Sequence, residues 1–164
     1  MSLWVFFLIL TQLILVSWID IKIKKISNLW LLLNTLLALS LHFLFPESYP
    51  WDWASLIFPI GWIVLGFFLF LIKVMGAGDS KYLASLFLII PLELQGPMFE
   101  KIIYSTLVVG MVTLLFKIAK DFQKIRAYAF ISNWKGLIEN IRSEFSYAPV
   151  ILIAWILLGA QRWF

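Results

Sequence analysis

The sequence predicts an all-α, polytopic integral membrane protein: about six transmembrane helices and a cytoplasmic amphipathic segment, in a single membrane-embedded domain covering residues 1–164. Three observations carry that prediction. Hydrophobic residues make up 63% of the chain, its mean hydropathy is +0.97, and only 13% of its residues are charged. A water-soluble core cannot hide that much apolar surface, so lipid is the expected solvent. The apolar residues also form long, non-alternating runs, which in lipid means helices rather than barrel strands. Finally, the basic residues collect between alternate runs.

The runs cover residues 3–19, 29–45, 54–74, 82–94, 102–118 and 147–159. A helix rises about 1.5 Å per residue, so about 17 residues reach about 26 Å, close to the hydrocarbon thickness of about 30 Å. The fourth and sixth runs are short and need flanking residues such as Ser80 and Lys81, or Gln161 and Arg162. The first run lacks the basic start and small-residue cleavage site of a signal peptide, and is expected to be retained.

With six spans, Lys22, Lys24, Lys25, Lys73, Lys81, Lys117, Lys120, Lys124, Arg126, Lys135 and Arg142 share one face, and only Lys101 and Arg162 the other. Positively charged loops stay in the cytoplasm, so both termini are expected outside. The segment from Pro46 to Trp53, with Trp51, Trp53, Glu47 and Asp52, suits the outer interface. In the inner loop of residues 119–146, Trp134, Leu137, Ile138, Ile141 and Phe145 recur at helical spacing among charges. That pattern fits either an amphipathic helix on the inner leaflet or a solvated connector with one packed face.

Against this background two aspartates stand out. Asp20 ends the first run, and Asp79 lies in Gly76-Ala77-Gly78-Asp79-Ser80-Lys81 between the third and fourth. Ionisable residues at membrane depth are costly and mark functional sites. The loop charges put both at the cytoplasmic boundary. Glycines beside Asp79 allow close backbone approach, positive φ, or both. Ser80 is expected to cap a helix starting near Lys81 or Tyr82, and Lys81 to tune a carboxylate or grip a substrate acid. Should the aspartates approach within a few Å, they would share a proton and titrate as a unit. The ionised member could then take a proton from water while its partner polarises a peptide carbonyl, as in aspartic proteases. The plainer reading makes Asp20 the start of a polar loop and Asp79 a helix cap. With no cysteine and the single His42, placed toward the outer end of the second span, the chain offers no thiol nucleophile and no Ser-His-Asp triad.

These residues resemble the type IV prepilin peptidases, the GxGD class of intramembrane aspartyl proteases. The family's first aspartate closes the first span and is followed by Ile-Pro-Asn; here Asp20 is followed by Ile26-Ser27-Asn28, with serine for proline. Its second motif, Gly-x-Gly-Asp-x-Lys, is matched by Gly76, Gly78, Asp79 and Lys81, and Tyr147-Ala148-Pro149 is similar to its last-span turn in two of four positions. The resemblance implies that Asp20 and Asp79 are catalytic, supported by Asn28, Gly76, Gly78 and Lys81. It implies an endopeptidase in a prokaryotic cytoplasmic membrane that removes basic leaders from prepilin-like, Flp-type or flagellin-like subunits, beside pilus or secretion assembly machinery. No cofactor, metal or nucleic acid is expected. Larger relatives carry a cysteine-rich zinc insert and a methyltransferase activity, and the resemblance is to the minimal, peptidase-only form. Rival readings are a small ion-coupled transporter, a non-catalytic assembly subunit, and a presenilin-like protease.

Other residues keep two readings. Lys22, Lys24 and Lys25 anchor topology or meet substrate. Asn28 orients Asp20 or caps the second helix. Gln12 and Asn34 are expected to join helices by side-chain hydrogen bonds. Gly61, Gly66 and Gly110 mark close packing or a substrate path.

Overall fold

The structure is a computed structural model that describes residues 1–72, 75–122 and 146–163. Every regular element among them is helical. The order is α1 (Leu3–Ile23), α2 (Asn28–Leu44), a 3-10 turn (Trp53–Leu56) running into α3 (Ile57–Leu71), α4 (Ala77–Ile89), α5 (Leu92–Lys120) and α6 (Ala148–Trp163). Three stretches, Leu3–Ile23, Trp53–Leu71 and Leu92–Lys120, are long and apolar enough to cross a membrane, while α2 and α6 are apolar but shorter. Trp134, Leu137, Ile138, Ile141 and Phe145, on which the amphipathic reading rests, lie outside the described residues.

The helix boundaries differ from the hydropathy runs in two instructive places. The fourth run, 82–94, is not one helix. Pro91 has no N–H to give and its ring forbids helical geometry before it, so Ile90 turns extended (φ −84°, ψ 125°) and α4 stops at Ile89. Pro91 then opens α5 directly. The start of α4 also moves, from the expected Lys81 or Tyr82 back to Ala77. At 13 residues α4 rises about 20 Å. Helix α5, with 29 residues, reaches about 43 Å and carries Glu93, Glu100 and Lys101 ahead of its most apolar part.

Packing places α4 at the centre. It lies against α2 and α3, while α6 lies against α1 and α5. Leu83, Leu86, Phe87 and Ile89 of α4 are fully buried, with Ile9 and Leu13 of α1, Met98 and Ile102 of α5, and Ile151 and Trp155 of α6. A Cβ on Gly66 would overlap the Ser80 side chain, so α3 and α4 meet there as closely as backbones allow, whereas Gly61 and Gly110 face open space. Phe7, Trp18, Phe43, Phe67, Phe68, Met111 and Phe116 point outward from the bundle. In water so much exposed apolar surface would drive aggregation; in a bilayer it is the solvated face.

Polar side chains tie the helices together inside. Gln12 donates to Asn34 at 2.6 Å, and Asn34 donates to Ser85 at 3.0 Å, linking α1, α2 and α4 as their sequence positions predict. Gln95 spreads its amide over the carbonyls of Ser55, Phe87 and Ile90, each at 3.1 Å. That closes the tight α4–α5 corner, whose carbonyls the proline break leaves without helical partners.

Candidate active site

Asp20 lies within the last turn of α1 rather than in a loop, because the helix runs on to Ile23. The helix is ended by Lys24, which takes a left-handed conformation (φ 52°) and donates its N–H to the Asp20 carbonyl at 2.8 Å. Lys22 in that same turn complements the helix C-terminus. The Asp20 side chain is only 4% exposed, and its Oδ2 accepts the Ala148 N–H at 3.2 Å. The first residue of α6 therefore holds the carboxylate of α1, and the free donor at a helix N-terminus suits an anion.

Asp79 occupies the third position of α4, where its Oδ2 turns back to accept the Gly76 N–H at 3.1 Å. A carboxylate in the first turn satisfies an otherwise orphan donor and sits favourably in the helix dipole. This explains why the helix starts early. Gly76, not Ser80, precedes it, and Ser80 donates back to the Ala77 carbonyl at 3.1 Å. Neither motif glycine has positive φ. Their value is space: a Cβ on Gly76 would sit 2.9 Å from Asp79 Oδ2, and one on Gly78 would sit 3.4 Å from the Ile26 carbonyl. The loop after α1 thus lies directly on Gly78.

Asp20 and Asp79 come from helices 59 positions apart in sequence (79 minus 20) and are the only buried carboxylates among the described residues. Asp79 lies within reach of the charge on Asp20. Tyr147, next to the residue that holds Asp20, lies within reach of the charge on Asp79. Its hydroxyl meets Thr106 Oγ1 at 2.9 Å; because Thr106 donates to the Ile102 carbonyl at 2.7 Å, Tyr147 is the donor of that pair. The turn into α6 therefore stands beside both acids and is braced on α5. Buried hydroxyls without a partner among the described residues lie close in sequence: Ser17 on the turn of α1 before Asp20, and Ser105 beside Thr106.

The remaining motif residues are placed differently. Asn28 is exposed in the first turn of α2 and does not reach Asp20; Ser27 is the N-cap, accepting the Leu29 N–H at 3.3 Å. Where the resembled motif has proline, serine here supplies the cap. Lys81 is exposed and pairs with neither aspartate, because the first turn of α4 points it outward. His42 stands at the far end of α2, its Nδ1 2.8 Å from the Ala38 carbonyl. Among the described residues no group of three His, Cys, Asp or Glu is arranged to hold a metal ion.

Sequence reading missed what α6 and α5 contribute. Tyr147-Ala148-Pro149 was visible as a turn opening a helix, but nothing local shows that the Ala148 N–H travels to Asp20. Chemically, the site joins two buried carboxylates, each bonded to a backbone N–H at a helix N-terminus, beside a phenol held on α5. No family model, curated protein or solved structure matches this chain.

Proposed function

We propose that this protein is an intramembrane aspartyl endopeptidase that removes basic leader peptides from prepilin-like subunits, with Asp20 and Asp79 as its catalytic pair. The observation that carries the reading is that Asp20 and Asp79 are the only buried carboxylates among the described residues and that Asp79 lies within reach of the charge on Asp20. Burying one such group is costly and burying two that repel is worse, so a fold that does so has a use for them.

In the proposed reaction one aspartate is ionised and the other protonated. The ionised member takes a proton from a water molecule, whose oxygen attacks the scissile carbonyl. The protonated member gives its proton to the carbonyl oxygen, forming a neutral gem-diol. Collapse of the diol, with a proton passed to the amide nitrogen, breaks the C–N bond and restores the pair. The Ala148 N–H holds the Asp20 carboxyl group in place. A pair that must hold one proton gives a bell-shaped rate against pH.

The accompanying topology has six spans, both termini outside, and the site at the cytoplasmic face of a prokaryotic cytoplasmic membrane. The distribution of Lys and Arg supports it. A substrate's apolar helix would rest in lipid while its basic leader stays in water, which brings the cut to the level of the pair.

The test is purified protein in liposomes, offered a panel of prepilin-like subunits with basic leaders, with products weighed by mass spectrometry. Release of the intact leader at one bond is expected. Failure to cut any member would overturn the reading, and aspartate-dependent ion flux in the same liposomes would favour a transporter.

A further inference from the structure

The end of the bundle remote from the aspartates carries a second built feature. Helix α2 starts beside the loop that follows Asp20, and His42 comes two residues before its end. There a cavity of about 430 Å³ opens, lined by Thr35, Leu39, His42, Trp51, Asp52 and Trp53 among others. From Thr35 to His42 it follows α2 for about 10 Å. Leu39 on its flank and the indoles of Trp51 and Trp53 at its rim are exposed, so the slot is open toward the lipid-facing side.

The polar groups in this slot share one character. His42 Nδ1 faces the Ala38 carbonyl, which can only accept, so Nδ1 carries the hydrogen and Nε2 of the neutral ring is left as an acceptor. Asp52 uses Oδ1 to cap the 3-10 turn at the Ala54 N–H, 3.3 Å away, leaving Oδ2 to accept. No cation is paired with Asp52 among the described residues. The Trp51 ring lies 4.7 Å from that of His42. Two acceptors, one of them charged, in a slot also lined by two indoles form a receptor for an ammonium group that can donate hydrogen bonds. The apolar wall running down α2 takes a chain attached to it.

We propose that this slot binds an ethanolamine-headgroup membrane lipid, the ammonium seated between His42, Asp52 and the two tryptophans and the upper acyl chain along Thr35 and Leu39. A choline headgroup lacks N–H donors and a glycerol headgroup lacks the charge, so both bind less well.

Native mass spectrometry of the full chain, released from detergent containing equal amounts of ethanolamine, choline and glycerol phospholipids, tests this. One ethanolamine lipid should be retained about tenfold over the others, a preference matched to one charged hydrogen bond plus a cation–π contact. Asp52→Asn keeps an N-cap acceptor and so keeps the turn; in it the preference should fall to about one. Trp53→Leu, at a side chain 85% exposed, should lower it several-fold with no loss of thermal stability in lipid-free detergent. Equal retention of all three lipids, retention of choline equal to ethanolamine, or an unchanged preference in Asp52→Asn would each overturn the proposal.

Discussion

Helices α3 and α4 pack on each other yet invert the rule that governs soluble proteins. Helix α3 is almost wholly aliphatic and aromatic, but only Pro59, Trp62 and Gly66 in it are buried. Helix α4 holds Asp79, Ser80, Lys81 and Ser85, and it is buried along most of its length. In lipid, apolar surface gains nothing by leaving solvent, so the most hydrophobic helix can face outward. Polar groups, which lipid cannot satisfy, must turn inward and find partners. The helix that reads as least suited to a membrane is therefore the one the bundle is built around, and it carries the candidate chemistry.

The sharpest way to break this comparison is to make one substitution in both helices. Phe87 in α4 is fully buried against Phe58 and Trp62, while Phe67 in α3 is 58% exposed. Phe87→Ala should cost about 3–5 kcal/mol of stability, the range for emptying an aromatic site. Phe67→Ala should stay within about 0.5 kcal/mol. Unfolding in mixed detergent measures both, and equal losses would contradict the assignment of faces. The glycines of α3 give the next contrast. Gly66→Leu drives a side chain into Ser80 and should cost about 1–3 kcal/mol, whereas Gly61→Leu meets open space and should be nearly silent.

At the site, Ala148→Pro removes the N–H that holds Asp20 while leaving a residue tolerated at the first position of a helix. Cleavage should fall about tenfold, the worth of one charge-assisted hydrogen bond. The loss should appear in kcat, with the pH profile altered; an unchanged profile would mean that the bond is only structural. Smaller again, Asn34→Leu breaks the Gln12–Asn34–Ser85 chain and should cost about 0.6 kcal/mol, the average for polar links between helices in lipid.

Much of the fold was legible because lipid makes hydropathy a direct readout of helices. The α1, α2 and α3 runs fall on helices whose ends move by only a few residues, since in each the apolar stretch and the helix are the same residues. The signal failed where polar side chains make a helix: the first turn of α4 is organised by Asp79 folding back on Gly76, and hydropathy reads Gly-Ala-Gly-Asp as a loop. It failed again at Ile90-Pro91, because a run of apolar letters hides a proline break. Asp20 and Asp79 could be singled out by residue type and position alone. Their support could not, because the bond from Ala148 to Asp20 spans 128 positions and no local pattern encodes it. Asn28 and Lys81, drawn in by their place in a motif, prove to be exposed and apart from the carboxylates.

The central claim is that Asp20 and Asp79 act together on a peptide bond. The most direct measurement is cleavage of one accepted prepilin-like substrate by the liposome-reconstituted protein, by Asp20→Asn and by Asp79→Asn, at matched folded protein. Each variant should lose at least about 100-fold in rate, the least expected when an acid or base in direct contact with the reacting atoms is removed, and the double variant should lose little more. Cleavage at the wild-type rate by either single variant would contradict the account.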